Sequence, residues 1–271
     1  MKNRILKIWS PRTPYSLDPL DYDALAHHIY FRSVYSSLVS DYRLGEINGV
    51  VASSWWSNPE KDSWYFQIRD NMFFSDGERI EAKDVALSLN RAAFLMKQGR
   101  SDSGLLENLK GIDELQAADQ LASGIHYEKN IVTLEFKKPI PDILTKISFG
   151  LYGIVSSKNF DSKTGHWFNK KSIIGSGPYL VENWDDSEVK LRLRSDFPKN
   201  LLLTRPIAHA IYRHDAAAIL KSDVVIDFDD SLAIDKSYAF WGPVKSAIRY
   251  IECEGWQKPD SICYGRCLIF S

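Results

Sequence analysis

Thiols are almost missing from this chain. The first 252 residues contain no cysteine, and Cys253, Cys263 and Cys267 all fall in the last 19. A long thiol-free stretch suits an oxidising compartment, although an odd count is awkward for a secreted protein. A Cys263–Cys267 disulfide and free thiols both stay open. His209 and His214 are too weak a pair to complete a metal site, so no metal and no cofactor are expected. Long apolar runs are missing too: nothing approaches the roughly 20 residues of a membrane-spanning helix. The start, Met1 to Trp9, begins like a signal peptide, but Lys7, Ser10, Pro11 and Arg12 interrupt it. It reads as a first strand, which leaves either a cytoplasmic protein or an exported one whose signal has been removed.

Excess charge of one sign is absent as well. The formal net charge is -1, from 34 basic and 35 acidic residues. That balance gives no electrostatic reason to expect nucleic acid or an anionic membrane surface as partner. The motifs of several enzyme classes are missing. There is no G-x-x-x-x-G-K-[ST] phosphate loop and no G-x-S-x-G elbow. Gly175-Ser176-Gly177 lacks a third glycine and runs into Pro178, so it opens a hairpin instead of a helix. His166 has no neighbouring nucleophile, and His27 and His28 point to different faces of one helix. Asp229-Asp230 reads as a solvated turn after a strand, or as a site for a cation or amine. These absences favour a binding protein over an enzyme.

What is present is aromatic and patterned. Aromatics make up 13% of the residues, with eight Trp. Each such ring reads as core filling or as the wall of a ligand cleft. Ile5 to Trp9 alternates like a strand. Ser16-Leu17-Asp18-Pro19 is a turn, since the residue before proline avoids the helical region. Leu25, Ile29, Tyr30, Val34 and Leu38 recur at helical spacing within 22–38. Trp64 to Arg69 predicts a strand, and Asp76-Gly77 a turn. Glu81 to Met96 predicts a helix with Val85, Leu89, Ala92, Ala93 and Met96 on its apolar face. Gln98 to Ser103 reads as a loop. Tyr127 to Phe136 reads as one alternating strand, and Pro139 and Pro141 open a helix through Leu144 and Ile147. A hairpin starts at Gly175, with Val189 to Arg194 as its second strand. Further strands are expected at 207–212 and 224–228, around a helix near 215–220. The irregular interleaving predicts a mixed α/β (α+β) protein.

Several of these segments, in order, resemble one family. Leu17-Asp18-Pro19, then Val34-Tyr35-Ser36-Ser37-Leu38-Val39, is similar to an "LDP … VYEGLV" pattern, and Ala52-Ser53-Ser54-Trp55 to "A-E-S-W". Trp64 through Arg91 tracks "F-x-L-R-x-G-V-x-F-x-D-G-x-P-[VL]-T-A-x-D-V-x-x-S". Val132 to Phe136, Lys138 to Pro141, Ile154-Val155-Ser156 and Gly175 to Tyr179 follow. The pattern resembles family 5 extracytoplasmic solute-binding proteins, the oligopeptide-, dipeptide- and nickel-binding subunits of ABC importers. Most of its motifs are scaffold: Gly77 tolerates a turn, and Asp84 suits a helix N-terminus.

The resemblance implies a periplasmic binding protein-like class II fold. It puts lobe I in residues 1–45 and 171–250, with a small domain inserted at 46–170. Residues 251–271 would begin a hinge or second lobe. Members are nearly twice this length, so the second lobe is expected to be missing. The implied partners are a peptide or other small solute and an ABC permease, in the periplasm or another extracytoplasmic space. By position the implied ligand contacts are Asp23, Ala24 and Leu25, with Asp229, Asp230 and Ser231 at the same cleft. Asp23 reads equally as a ligand for an amine and as a helix N-terminal residue. The rival reading is a one-lobed relative that serves as a protein-interaction or sensing module, with a dimer through the exposed cleft surface as one form.

Overall fold

The computed structural model describes residues 5–9, 16–21, 27–43, 46–100, 105–168, 173–185, 188–201, 209–213, 224–227, 239–241 and 247–250. Among them the strands are β1 (Ile5–Trp9), β2 (Val39–Arg43), β3 (Glu46–Gly49), β4 (Ala52–Ser57), β5 (Ser63–Ile68), β6 (Ile125–Glu128), β7 (Ile131–Glu135), β8 (Tyr179–Trp184), β9 (Glu188–Leu193), β10 (His209–Arg213), β11 (Val224–Asp227), β12 (Ala239–Trp241) and β13 (Ala247–Tyr250). The α-helices are α1 (His27–Val34), α2 (Ala82–Lys97) and α3 (Ile143–Ile147).

The strands form three sheets. Seven strands lie in the order β12-β13-β11-β1-β10-β9-β8, four in the order β4-β5-β7-β6, and β2 pairs with β3. In the large sheet β1 runs parallel to both β10 and β11, and the outer pairings are antiparallel. The mixed α/β class expected from the sequence is therefore the class observed.

Alternation builds the four-stranded sheet. Trp64, Phe66 and Ile68 of β5 and Val132 and Leu134 of β7 point into the core. Helix α2 covers that face with Val85, Ala86, Leu89 and Ala93, all at most 1% exposed. Each large aliphatic side chain buried this way contributes about 1.5–3 kcal/mol. Gly77, at φ +88°, turns the chain ahead of the helix. The Asp84 carboxylate then accepts the Glu81 N–H at 2.9 Å and satisfies an orphan donor of the first turn. A second cluster joins Tyr30, Phe31 and Val34 of α1 to Tyr179, Val189 and Leu191, so α1 covers the β8–β9 end of the large sheet.

Two expectations are corrected. Residues 127–136 are not one strand: β6 and β7 form a hairpin whose loop holds Lys129 at φ +52°. The helix expected to reach Leu38 ends at Val34, and the chain is extended by β2. The expected helix near 215–220 lies outside the described residues.

Candidate functional site

The parallel centre of the large sheet sets a direction. Trp9 of β1 is level with Arg213 of β10 and with Val225 of β11. The carboxyl ends of three neighbouring parallel strands therefore open on one edge. In open α/β sheets ligands are held outside the carboxyl ends of the strands. That edge is the candidate site. Asp229, Asp230 and Ser231 follow β11 closely in sequence, and Asp23, Ala24 and Leu25 precede α1. All six lie outside the described residues.

Apart from that edge, the turn at 16–21 is held by a buried charge network. Asp18 is fully buried. Its Oδ1 accepts Arg91 Nη1 at 3.1 Å, and its Oδ2 accepts Arg91 Nη2 at 2.5 Å. Leu20 N–H also reaches Oδ1, at 3.2 Å. Arg91, 1% exposed, comes from the middle of α2 and gives its Nε–H to Gly165 O at 2.7 Å. The guanidinium lies 4.8 Å from the Phe160 ring centre and 5.1 Å from that of Trp167. Arg100, beyond the end of α2, bridges Asp18 at 3.1 Å and Asp21 at 2.5 Å. His166 Nδ1 sits 3.5 Å from Arg100, an arginine partner in place of a nucleophile. Tyr35 donates to Leu17 O at 2.7 Å, and burial, reinforced by the Asp18 charge, holds its phenol well above the usual range. Sequence reasoning took Asp18 for a turn residue only. An arginine on the buried side of α2 was the one available signal for its partner.

A second junction explains Gly175-Ser176-Gly177. Gly177 N–H donates to Val34 O at 2.8 Å and so ties down the end of α1. Ser176 Oγ accepts Ser36 N–H at 2.9 Å and donates to Ile154 O at 2.6 Å. Arg194, 4% exposed, donates to the carbonyls of Phe73, Phe74 and Gly177. Its contact with Asp196 holds that carboxyl below the usual range. Asp84 is shifted the other way, chiefly by burial. These groups lock scaffold to scaffold.

A depression of about 370 Å³ near the start of α2 is lined by Arg69, Asp70, Arg79 and Lys129 among others. Its charges oppose each other, with Arg79 on Asp70 at 3.2 Å. Among the described residues no helix is long and apolar enough to cross a membrane, and no group of three His, Cys, Asp or Glu is placed to hold a metal.

Comparison with known proteins agrees with this architecture. The family model "Bacterial extracellular solute-binding proteins, family 5 Middle" matches residues 46–221. The periplasmic murein peptide-binding protein MppA of Escherichia coli is 27% identical over 62% of this chain and 32% of its own length. The probable D,D-dipeptide-binding periplasmic protein DdpA of Escherichia coli is 24% identical over 86% of this chain and 44% of its own. In fold, the peptide-bound OppA of Listeria monocytogenes superposes with a TM-score of 0.73 at 15% identity, covering 89% of this chain and 50% of that one. The chain thus spans about a third to a half of the length of these relatives.

Proposed function

The chain belongs to the family 5 bacterial extracellular solute-binding proteins, and from that premise we propose that it captures a peptide outside the cytoplasm for an ABC importer. The observation that carries the reading is the parallel trio β1, β10 and β11, which ends on one open edge within a family fold. The relatives named for murein peptide and D,D-dipeptide binding, and a similar fold with peptide bound, support the ligand class. Asp23, Ala24 and Leu25 would meet the ligand from one side of the edge and Asp229, Asp230 and Ser231 from the other. A strand-like segment there offers backbone hydrogen bonds to an extended peptide, and side-chain pockets add selectivity. Asp23 would take the peptide amine, a charge-assisted pairing.

The same reading divides the chain into a discontinuous lobe, 1–45 with 171–250, and an insert, 46–170. The large sheet supports this, since it draws on both ends of the described chain. Leu20, Leu38 and Phe197 pack into the cluster around α2, so the two units would share a packed border. The partner is a membrane permease, and the location is the periplasm or its equivalent.

Isothermal titration with defined tri- to pentapeptides tests the proposal. Saturable heat and a ligand-dependent rise in melting temperature are expected. Asp23→Asn should weaken binding about 10- to 100-fold, the value of one hydrogen bond to a charged group. No heat and no thermal shift with any peptide would remove the reading. A stable dimer or partner complex in sedimentation, without peptide heat, would favour the interaction module instead.

A further inference from the structure

We infer that the depression beside the start of α2 is a binding site for a small organic anion, held by its phosphate or carboxylate group against Arg69, Lys129 and Asn130. The walls come from the end of β5, the start of α2 and the β6–β7 loop. None of them belongs to the large sheet, so the inference stands apart from the peptide-capture reading.

Three cations, Arg69, Arg79 and Lys129, line the space with two acids, Asp70 and Glu81. Arg79 and Asp70 answer each other at 3.2 Å, an exposed pair of small energetic weight. Arg69 is half-buried and held from behind. Its Nε–H donates to Val50 O at 2.8 Å and its Nη2 to Gly49 O at 3.3 Å. Those carbonyls bring no opposite charge, and Nη1 has no partner among the described residues. Ile68 N–H donates to Asn130 O at 2.7 Å and ties the β6–β7 loop to the end of β5, next to Arg69.

Lys129 points to a ligand. Among the described residues two that are not glycine have positive φ, Lys61 at 60° and Lys129 at 52°. Lys61 places its ammonium 5.3 Å from the centre of the Trp64 ring. Lys129 makes no ion pair, hydrogen bond or ring contact among the described residues, and it lines the depression. A side chain strains the left-handed region, and such strain persists at binding sites where the side chain is used. A guanidinium, an ammonium and a side-chain amide together are donors suited to carboxylate or phosphate oxygens. The volume of about 370 Å³ lies in the range of small-molecule sites. The walls carry a surplus of one positive charge, which favours a single anionic group over a polyphosphate.

Isothermal titration of the full chain with inorganic phosphate, and separately with succinate, tests the inference at an ionic strength held by sodium chloride. Saturable one-site heat is expected with at least one of them. Heat with phosphate alone marks a phosphate-bearing ligand, heat with succinate alone a carboxylate, and heat with both a site that reads what they share. Lys129→Gly should lower the affinity roughly tenfold, the loss of one charge-assisted hydrogen bond. Lys129→Arg should keep it within about threefold, since the charge and donors remain. Lys61→Gly, which removes the other left-handed lysine, should leave it unchanged. Asp70→Asn should raise it about two- to threefold by removing an acid from the wall. No saturable heat with either anion, or equal affinity in Lys129→Gly and the unaltered chain, overturns the inference. So does an equal loss in Lys61→Gly and Lys129→Gly, because the heat would then report surface charge and not this site.

Discussion

Space for one carbon atom governs the joint between α1 and the large sheet. A Cβ on Gly177 would lie 2.6 Å from the carbonyl carbon of Val34 and 2.7 Å from Ser33 O and Tyr35 N. These are backbone atoms and cannot rotate away. A Cβ on Gly175 would likewise strike Val34 O. Ser176 between them is fully buried and bonded on both sides. The two glycines therefore permit a close approach of backbones that any side chain would block. Gly177→Ala should force the end of α1 off the sheet and lengthen the Gly177–Val34 hydrogen bond. Overpacking costs about 1–3 kcal/mol and the bond about 1 kcal/mol more. Urea unfolding should register a loss of roughly 2–4 kcal/mol, and a loss below about 0.5 kcal/mol, the level of an ordinary surface change, would show that the joint is loose.

Elements followed local rules wherever local rules were sufficient. Helix α2 was legible because its apolar period, its acidic first turn and the Asp76-Gly77 turn before it agree with one another. The β8–β9 hairpin was legible for a similar reason. The β6–β7 hairpin was not, because Lys129-Asn130 contains neither glycine nor proline and the apolar alternation resumes directly after it. Lys129 carries the cost of that disguise, with a side chain at φ +52°. The left-handed region costs an L-residue about 1–2 kcal/mol, and glycine returns about 0.5–1 kcal/mol of that as lost chain entropy. Lys129→Gly should therefore stabilise the protein by roughly 0.5–1 kcal/mol, while Lys129→Val should destabilise it. Equal midpoints for the two variants in denaturant would contradict this account. The end of α1 was hidden for a different reason. Apolar spacing runs on to Leu38, but Gly177 takes the Val34 carbonyl and Ser176 the Ser36 N–H. A tertiary partner far along the chain stops the helix, and no local signal announces it.

At the scale of the whole molecule, the chain closes on itself through its first strand. Ile5 pairs with His209 and Ile8 with Val224, so β1 lies between two strands from the far end of the described chain. Alternation revealed β1 as a strand, but pairing across such a separation leaves no trace in one sequence. The same limit applies to the candidate site, whose flanks come from distant segments. The motifs that identified the family are largely scaffold. Asp18 of the Leu17-Asp18-Pro19 motif disclosed its arginine partners only once the fold brought α2 against it. The central place of β1 has a testable consequence. Deleting residues 1–9 removes a strand whose two neighbours cannot pair with each other without moving the entire outer sheet. Loop-closure entropy has already been spent to bring those strands together. Native-state hydrogen exchange on the shortened chain should show protection lost in β10 and β11. Protection should remain in β5 and β7, which pack under α2 in a different cluster from that of Tyr30, Val189 and Leu191. Uniform loss across both sheets would mean that the units fold as one. Protection retained in β10 and β11 would mean that β1 is dispensable, and the parallel edge proposed as the binding site would have to be drawn without it.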